Sequence, residues 1–166
     1  MKTDTLKRIA TLLVFLIAQV LLLDYIHLLG VATPLLYVYF ILQFPYQHPK
    51  WSILLWGFAM GLAVDIFTNT PGVAAASLTA IAAIQPYYLG MFMSRDVLSG
   101  FKPSIKSLGA LRYSYYAIPL VLLYCMLFFT FEQFSFFNPL RWIACVVGSA
   151  AITLALIFTF ETAKKK

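Results

Sequence analysis

Asp65 is the residue of this chain best placed to do chemistry. It lies in the run GFAMGLAVDIFTNTPG, from Gly57 to Gly72, near one end of an apolar segment that starts at Trp51. Gly57, Gly61 and Asp65 are spaced at i, i+4 and i+8, so on a helix they form one stripe. A carboxylate at the centre of a membrane span costs roughly 2.5 kcal/mol or more, and such groups face protein or a wet cavity. Two glycines on the same stripe let another helix approach closely. The stripe reads as an interaction or pocket face. Two plainer readings stand beside it: a carboxylate that reaches the outer headgroup region, and glycines that serve ordinary packing within the chain.

The other polar residues offer weaker constellations. Asp24, Tyr25 and His27 cluster at the end of the first apolar segment and read as a solvated loop. His48 belongs to a turn, Tyr46-Gln47-His48-Pro49-Lys50. Pro86, after Gln85, frees a backbone carbonyl one turn earlier and predicts a static kink. Glu132 with Arg141, and Arg95 with Asp96, are solvated charges; an exposed ion pair contributes little. No GxSxG elbow, HExxH helix, Walker loop or paired glutamates occur, and the two histidines fall on opposite sides of the membrane in the topology below. No enzyme and no cofactor are expected. Cys125 and Cys145 sit inside apolar spans without metal-ligand spacing and read as small buried hydrophobes.

The elements that carry these residues follow from composition. Hydrophobic residues make up 62% of the 166 positions and charged residues 11%, against about 25% charged in a soluble domain. Six apolar segments can be drawn, at about 9–23, 28–44, 51–67, 73–93, 113–131 and 141–160, in one membrane domain covering 1–166. The first two fall short of the roughly 20 residues that a crossing needs, and Pro34 lies near the start of the second. The first segment reads as a retained helix and not as a cleaved signal peptide.

Charge tests the partition. Lys2, Lys7 and Arg8, then Lys50, then Arg95, Lys102, Lys106 and Arg112, then Lys164, Lys165 and Lys166 occupy the ends and alternate gaps; only Arg141 lies elsewhere. Basic residues concentrate on the cytoplasmic side. Six transmembrane helices with both termini cytoplasmic place eleven of the twelve there, and an odd number would break the alternation. The net charge of +6 is thus first a topology signal. It also favours anionic lipid headgroups, whereas nucleic acid is a poor reading for charges scattered over short loops. Thr68-Asn69-Thr70-Pro71-Gly72 has the chemistry of a tight turn joining the third and fourth spans.

The run GLAVDIFTNTPGVAAASLTAIAAIQPYYLGMFMSRD, Gly61 to Asp96, closely resembles the MreD family of rod shape-determining membrane proteins. Gly61-Leu62, Asp65, the turn ending in Pro71-Gly72 and the small-residue span after it carry the resemblance. Pro34-Leu35-Leu36-Tyr37 after a short first span is similar too. The resemblance implies an all-α membrane protein of the bacterial cytoplasmic membrane, similar in architecture to the substrate-binding subunits of energy-coupling-factor transporters. It implies a non-enzymatic scaffold of the cell-elongation machinery. Working with the bitopic protein MreC, it would couple MreB filaments to a RodA-type glycosyltransferase and a transpeptidase that build lateral peptidoglycan. On that resemblance Gly57, Gly61, Asp65, Pro71 and Gly72 are candidates for docking MreC. Arg95, Asp96, Lys102 and Lys106 are candidates for cytoplasmic contacts with filaments or anionic lipid. The alternative is a vitamin-transporter substrate-binding subunit. Against it stand the lack of an AxxxA helix (Ala10 and Ala18 flank Val14) and the few polar and aromatic groups on the outer halves of the spans.

Overall fold

The computed structural model describes residues 2–19, 33–46, 48–92, 101–133 and 139–164, and all regular structure within them is helical. The helices are α1 (Lys2–Ala18), α2 (Val38–Leu42), α3 (Lys50–Thr68), α4 (Val73–Met91), α5 (Ile105–Leu108), α6 (Ala110–Gln133) and α7 (Pro139–Ala163). Four of them, α3, α4, α6 and α7, are long and apolar enough to cross a membrane. At 1.5 Å per residue they measure about 28–38 Å, against a hydrocarbon layer of about 30 Å. These helices answer to the segments expected at 51–67, 73–93, 113–131 and 141–160.

Their outward faces are apolar. Along α3, Trp51, Leu55, Phe58, Leu62 and Ile66 recur every three or four residues and are all exposed, while Ile53, Gly57, Met60 and Val64 on the other side are buried. A helix on the surface of a protein in water would carry polar and charged residues on that outward face. On α1, Leu6, Ile9, Leu13, Val14 and Ile17 are exposed and Phe15 and Leu16 buried, so this helix lies at the periphery. Together these faces and the four long apolar helices are those of a membrane protein that is all-helical among the described residues.

The stretch expected as a second span, 28–44, departs from a single helix over its described part. Residues 33–37 are not helical, and α2 is little more than one turn. Prolines flank this stretch on both sides. Pro34 restrains the chain at the start, and Pro45 has no N–H with which to continue a helix. Yet Leu35 to Leu42 and Phe44 are almost completely buried, enclosed by the other helices. Non-helical backbone is tolerated at membrane depth only where protein or water satisfies its polar groups.

That requirement accounts for most of the buried polar side chains. The Thr33 N–H donates to Ser149 Oγ and the Leu35 N–H to Thr153 Oγ1, both at 3.0 Å from α7. Gln19, just after α1, accepts from the Leu36 N–H at 3.1 Å and donates to the Pro34 carbonyl at 2.8 Å. At the far end of α2, Tyr116 of α6 donates to the Leu42 carbonyl at 3.2 Å, and Gln85 of α4 donates to the Phe44 carbonyl at 3.3 Å. Five side chains from four helices thus replace the bonds that a continuous helix would have made itself. In the same way Pro119 frees the Tyr115 carbonyl within α6, and Tyr88 of α4 donates to it at 3.0 Å. Both α4, at Pro86, and α6, at Pro119, continue as helices through their prolines. Cys125 and Cys145 are buried free thiols, as expected.

Candidate functional site

Helix α4 starts at Val73 after Gly72, a residue with no side chain to cap the first turn. The first N–H groups of a helix have no partner within it. Asp65, reaching across the turn from α3, supplies the acceptors. Its Oδ1 accepts from the Ala74 N–H at 2.9 Å and from the Thr70 hydroxyl at 3.0 Å; its Oδ2 accepts from the Ala75 N–H at 2.9 Å. The Val73 N–H reaches the Thr70 carbonyl at 3.4 Å, and the Ala76 N–H the Gly72 carbonyl at 3.0 Å. Every donor of the first turn is therefore satisfied, and a negative charge sits on the positive end of the α4 dipole.

The glycine stripe lets this happen. A Cβ added at Gly61 would lie 2.5 Å from Ala75 Cα and 2.7 Å from the Ala74 carbonyl oxygen, both backbone atoms. At Gly57 it would lie 2.9 Å from Ala82 Cβ and 3.3 Å from the Leu78 carbonyl oxygen. Helices α3 and α4 meet at these glycines, and their closeness brings the carboxylate within reach of the α4 N–H groups. The turn between them uses left-handed backbone twice, at Asn69 (φ 56°) and Gly72 (φ 84°). Asn and Gly tolerate that region best. The Asn69 and Thr70 N–H groups both return to the Asp65 carbonyl.

The expectation of a docking face at Gly57, Gly61 and Asp65 is corrected by this geometry. Helix α4 of the same chain fills the face, and both carboxylate oxygens bond to its N-terminus. Of the five candidates, only Pro71 and Gly72 are exposed, at the tip of the hairpin. The carboxylate is almost fully buried, which also sets aside a side chain simply standing in the headgroup region.

The Asp65 network borders a cavity of about 270 Å³. Thr70, bonded to Asp65, also pairs with the Thr68 hydroxyl at 2.7 Å, and both threonines line the space. Gln19, Thr33, Tyr37 and Glu132 line it from the other side, with Val64 and Phe128 among the apolar walls. The Tyr124 hydroxyl donates to that of Tyr37, orienting the latter's ring edge-on to its own. Polar and aromatic groups thus do converge at this end of the bundle, which sequence spacing did not reveal. They come from the end of α1, from α3 and the turn after it, from α6 and from the non-helical stretch before α2, with Gln19 and Glu132 more than a hundred positions apart.

At the opposite end, Arg8 of α1 donates to His48 Nε2 at 3.1 Å and lies 4.7 Å from the centre of the Phe44 ring. Burial, and next the Arg8 guanidinium, hold the His48 pKa below its usual value. The ring therefore stays neutral and accepts. Lys102 and Lys106 are exposed here. Arg95 and Asp96 lie outside the described residues, as do Asp24, Tyr25, His27 and Gln47. Among the described residues no three His, Cys, Asp or Glu side chains gather as a metal site would need. No protein-family model, curated protein or solved structure matches this chain.

Proposed function

We propose that this chain is a non-enzymatic membrane scaffold of the MreD kind, working with MreC in the bacterial cell-elongation machinery. On this reading it helps to couple MreB filaments to a RodA-type glycosyltransferase and an elongation transpeptidase, and so maintains rod shape. The observation that carries the reading is the Gly61–Asp96 run. The residues in it that bear the resemblance are also the ones that clamp α3 to α4, so a shared sequence there has a physical use. Six crossings with both termini cytoplasmic belong to the same reading, since eleven of the twelve basic residues then face the cytoplasm.

In this proposal Asp65, Gly57 and Gly61 act indirectly: they keep the hairpin rigid, and a partner helix docks elsewhere. The surface α3 offers is its outward row, Trp51, Leu55, Phe58, Leu62 and Ile66, with Pro71 and Gly72 at the tip. Lys102 and Lys106 face the cytoplasm.

A second reading, a substrate-binding subunit of an energy-coupling-factor transporter, is favoured by one observation, the cavity beside Asp65. Its volume of about 270 Å³ falls just below the range of ligand sites, where pockets run about 300–1,000 Å³. Isolation of the tagged protein from its host in mild detergent, with mass spectrometry of what accompanies it, separates the two. Recovery of MreC with elongation synthases supports the scaffold. Recovery of a coupling protein with two ATPases, together with an extractable small molecule, overturns it.

A further inference from the structure

Three lysines line one cavity at the end of the bundle away from Asp65. It holds about 220 Å³ and is lined by Lys102, Lys106 and Lys164, with Gln43, Ser104 and Glu161. We propose that this cavity binds the phosphate group of an anionic phospholipid.

The chemistry of the lining selects an anion rich in oxygen acceptors. Three lysines face one carboxylate, and that carboxylate is already engaged: Glu161 Oε1 accepts from the Tyr39 hydroxyl and Oε2 from the Ile105 N–H at 3.0 Å. Lys164 Nζ is held in place by Gln43 Oε1 and the Tyr39 hydroxyl, each at 3.3 Å, and lies over the Tyr39 ring. Fixing Gln43 in this way leaves its Nε2 buried with no acceptor.

The wall that carries Lys102 and Lys106 is preformed. Ser104 Oγ accepts from the Ser107 N–H at 3.2 Å, and Ser107 Oγ accepts from the Ser104 N–H and donates to the Lys102 carbonyl. The Ile105–Glu161 bond fastens this turn to α7. Depth points to a lipid as the source of the phosphate. Lys164 directly follows α7, and Lys102 and Lys106 precede α6, so the cavity lies where two apolar helices end. Headgroup phosphates occupy that level. This inference does not depend on the scaffold reading.

The test uses the full-length protein in nanodiscs of phosphatidylcholine doped with phosphatidylglycerol. Retained lipid is read by native mass spectrometry, and the unfolding midpoint by a thermal shift. Phosphatidylglycerol is expected to be enriched and to raise the midpoint. Each of Lys102→Gln, Lys106→Gln and Lys164→Gln is expected to weaken its retention by about fivefold. Lys50→Gln, at the same end but against Tyr87 and outside the cavity, should leave retention unchanged. Gln43→Glu is the decisive variant, because a carboxylate there pairs with Lys164 and repels phosphate. It should keep or raise stability without added lipid while losing lipid retention. A parallel arm adds inorganic phosphate to protein in pure phosphatidylcholine. A midpoint rise there equal to that from phosphatidylglycerol would overturn the lipid as the source. Equal retention of both lipids, or unchanged retention in the lysine variants and Gln43→Glu, would overturn the site itself.

Discussion

Removing the Asp65 carboxylate should destabilise the isolated protein, before any partner is considered. In Asp65→Ala the N–H groups of Ala74 and Ala75, both buried, lose their acceptors. Each orphaned buried donor costs about 1–3 kcal/mol. The favourable contact of a charge with the helix dipole goes too, but it overlaps the same two bonds and is not added again. The charge itself no longer has to be desolvated, which returns part of the loss. A net cost of about 3 kcal/mol results, which for a domain of this size corresponds to roughly 6–12 °C in unfolding midpoint. Asp65→Asn keeps the shape and one acceptor oxygen but turns an amide donor toward an N–H, so about half that loss is expected. The assay is thermal unfolding of purified protein in detergent, followed by circular dichroism. If both variants unfold within about 1 °C of the parent, a scatter far below the expected loss, the capping account is refuted. Asp65 would then have to serve something outside the chain.

Three further perturbations test the packing and the buried polar groups. Gly61→Ala should destabilise more than Gly57→Ala, because its Cβ meets backbone; Ala82→Gly should partly rescue Gly57→Ala and do nothing for Gly61→Ala, as read by unfolding midpoints. Thr153→Val leaves the buried Leu35 N–H without an acceptor and should cost about 1–3 kcal/mol. Thr159→Val, whose exposed hydroxyl only bonds back to its own helix, should be nearly silent in the same assay. The lowered pKa of His48 makes its contribution complete above the unfolded pKa of about 6.5 and lost as pH falls through the folded value. The midpoint should therefore drop on acidification from about pH 8 to about pH 5, with a smaller drop in His48→Gln.

The four long spans were legible because a helix in lipid must satisfy its backbone internally and present apolar side chains for about 20 residues. Hydropathy reads that directly. The turn at Asn69-Thr70-Pro71-Gly72 was legible for a local reason, the left-handed backbone that Asn and Gly accept. The stretch 33–44 was not. Its composition is that of a span, but Pro34 and Pro45 break it, and its broken backbone survives only because Gln19, Gln85, Tyr116, Ser149 and Thr153 reach it from four helices. Polar residues inside apolar runs were the available signal, and no spacing rule could pair them across a hundred positions.

Asp65 divides along the same line. From the sequence alone it was a costly carboxylate on a glycine stripe, which must be bonded to something, and that much physics holds for any fold. Whether the bonds go to a partner, to water or to the chain itself depends on which helix occupies the glycine face. Side-chain periodicity defines a face but carries no information about its occupant. Tertiary packing put α4 there, with its N-terminus at the carboxylate. The same packing brought three lysines from two distant segments to one half-buried glutamine. Local chemistry thus determined which groups needed partners, and the arrangement of the helices decided which partners they found.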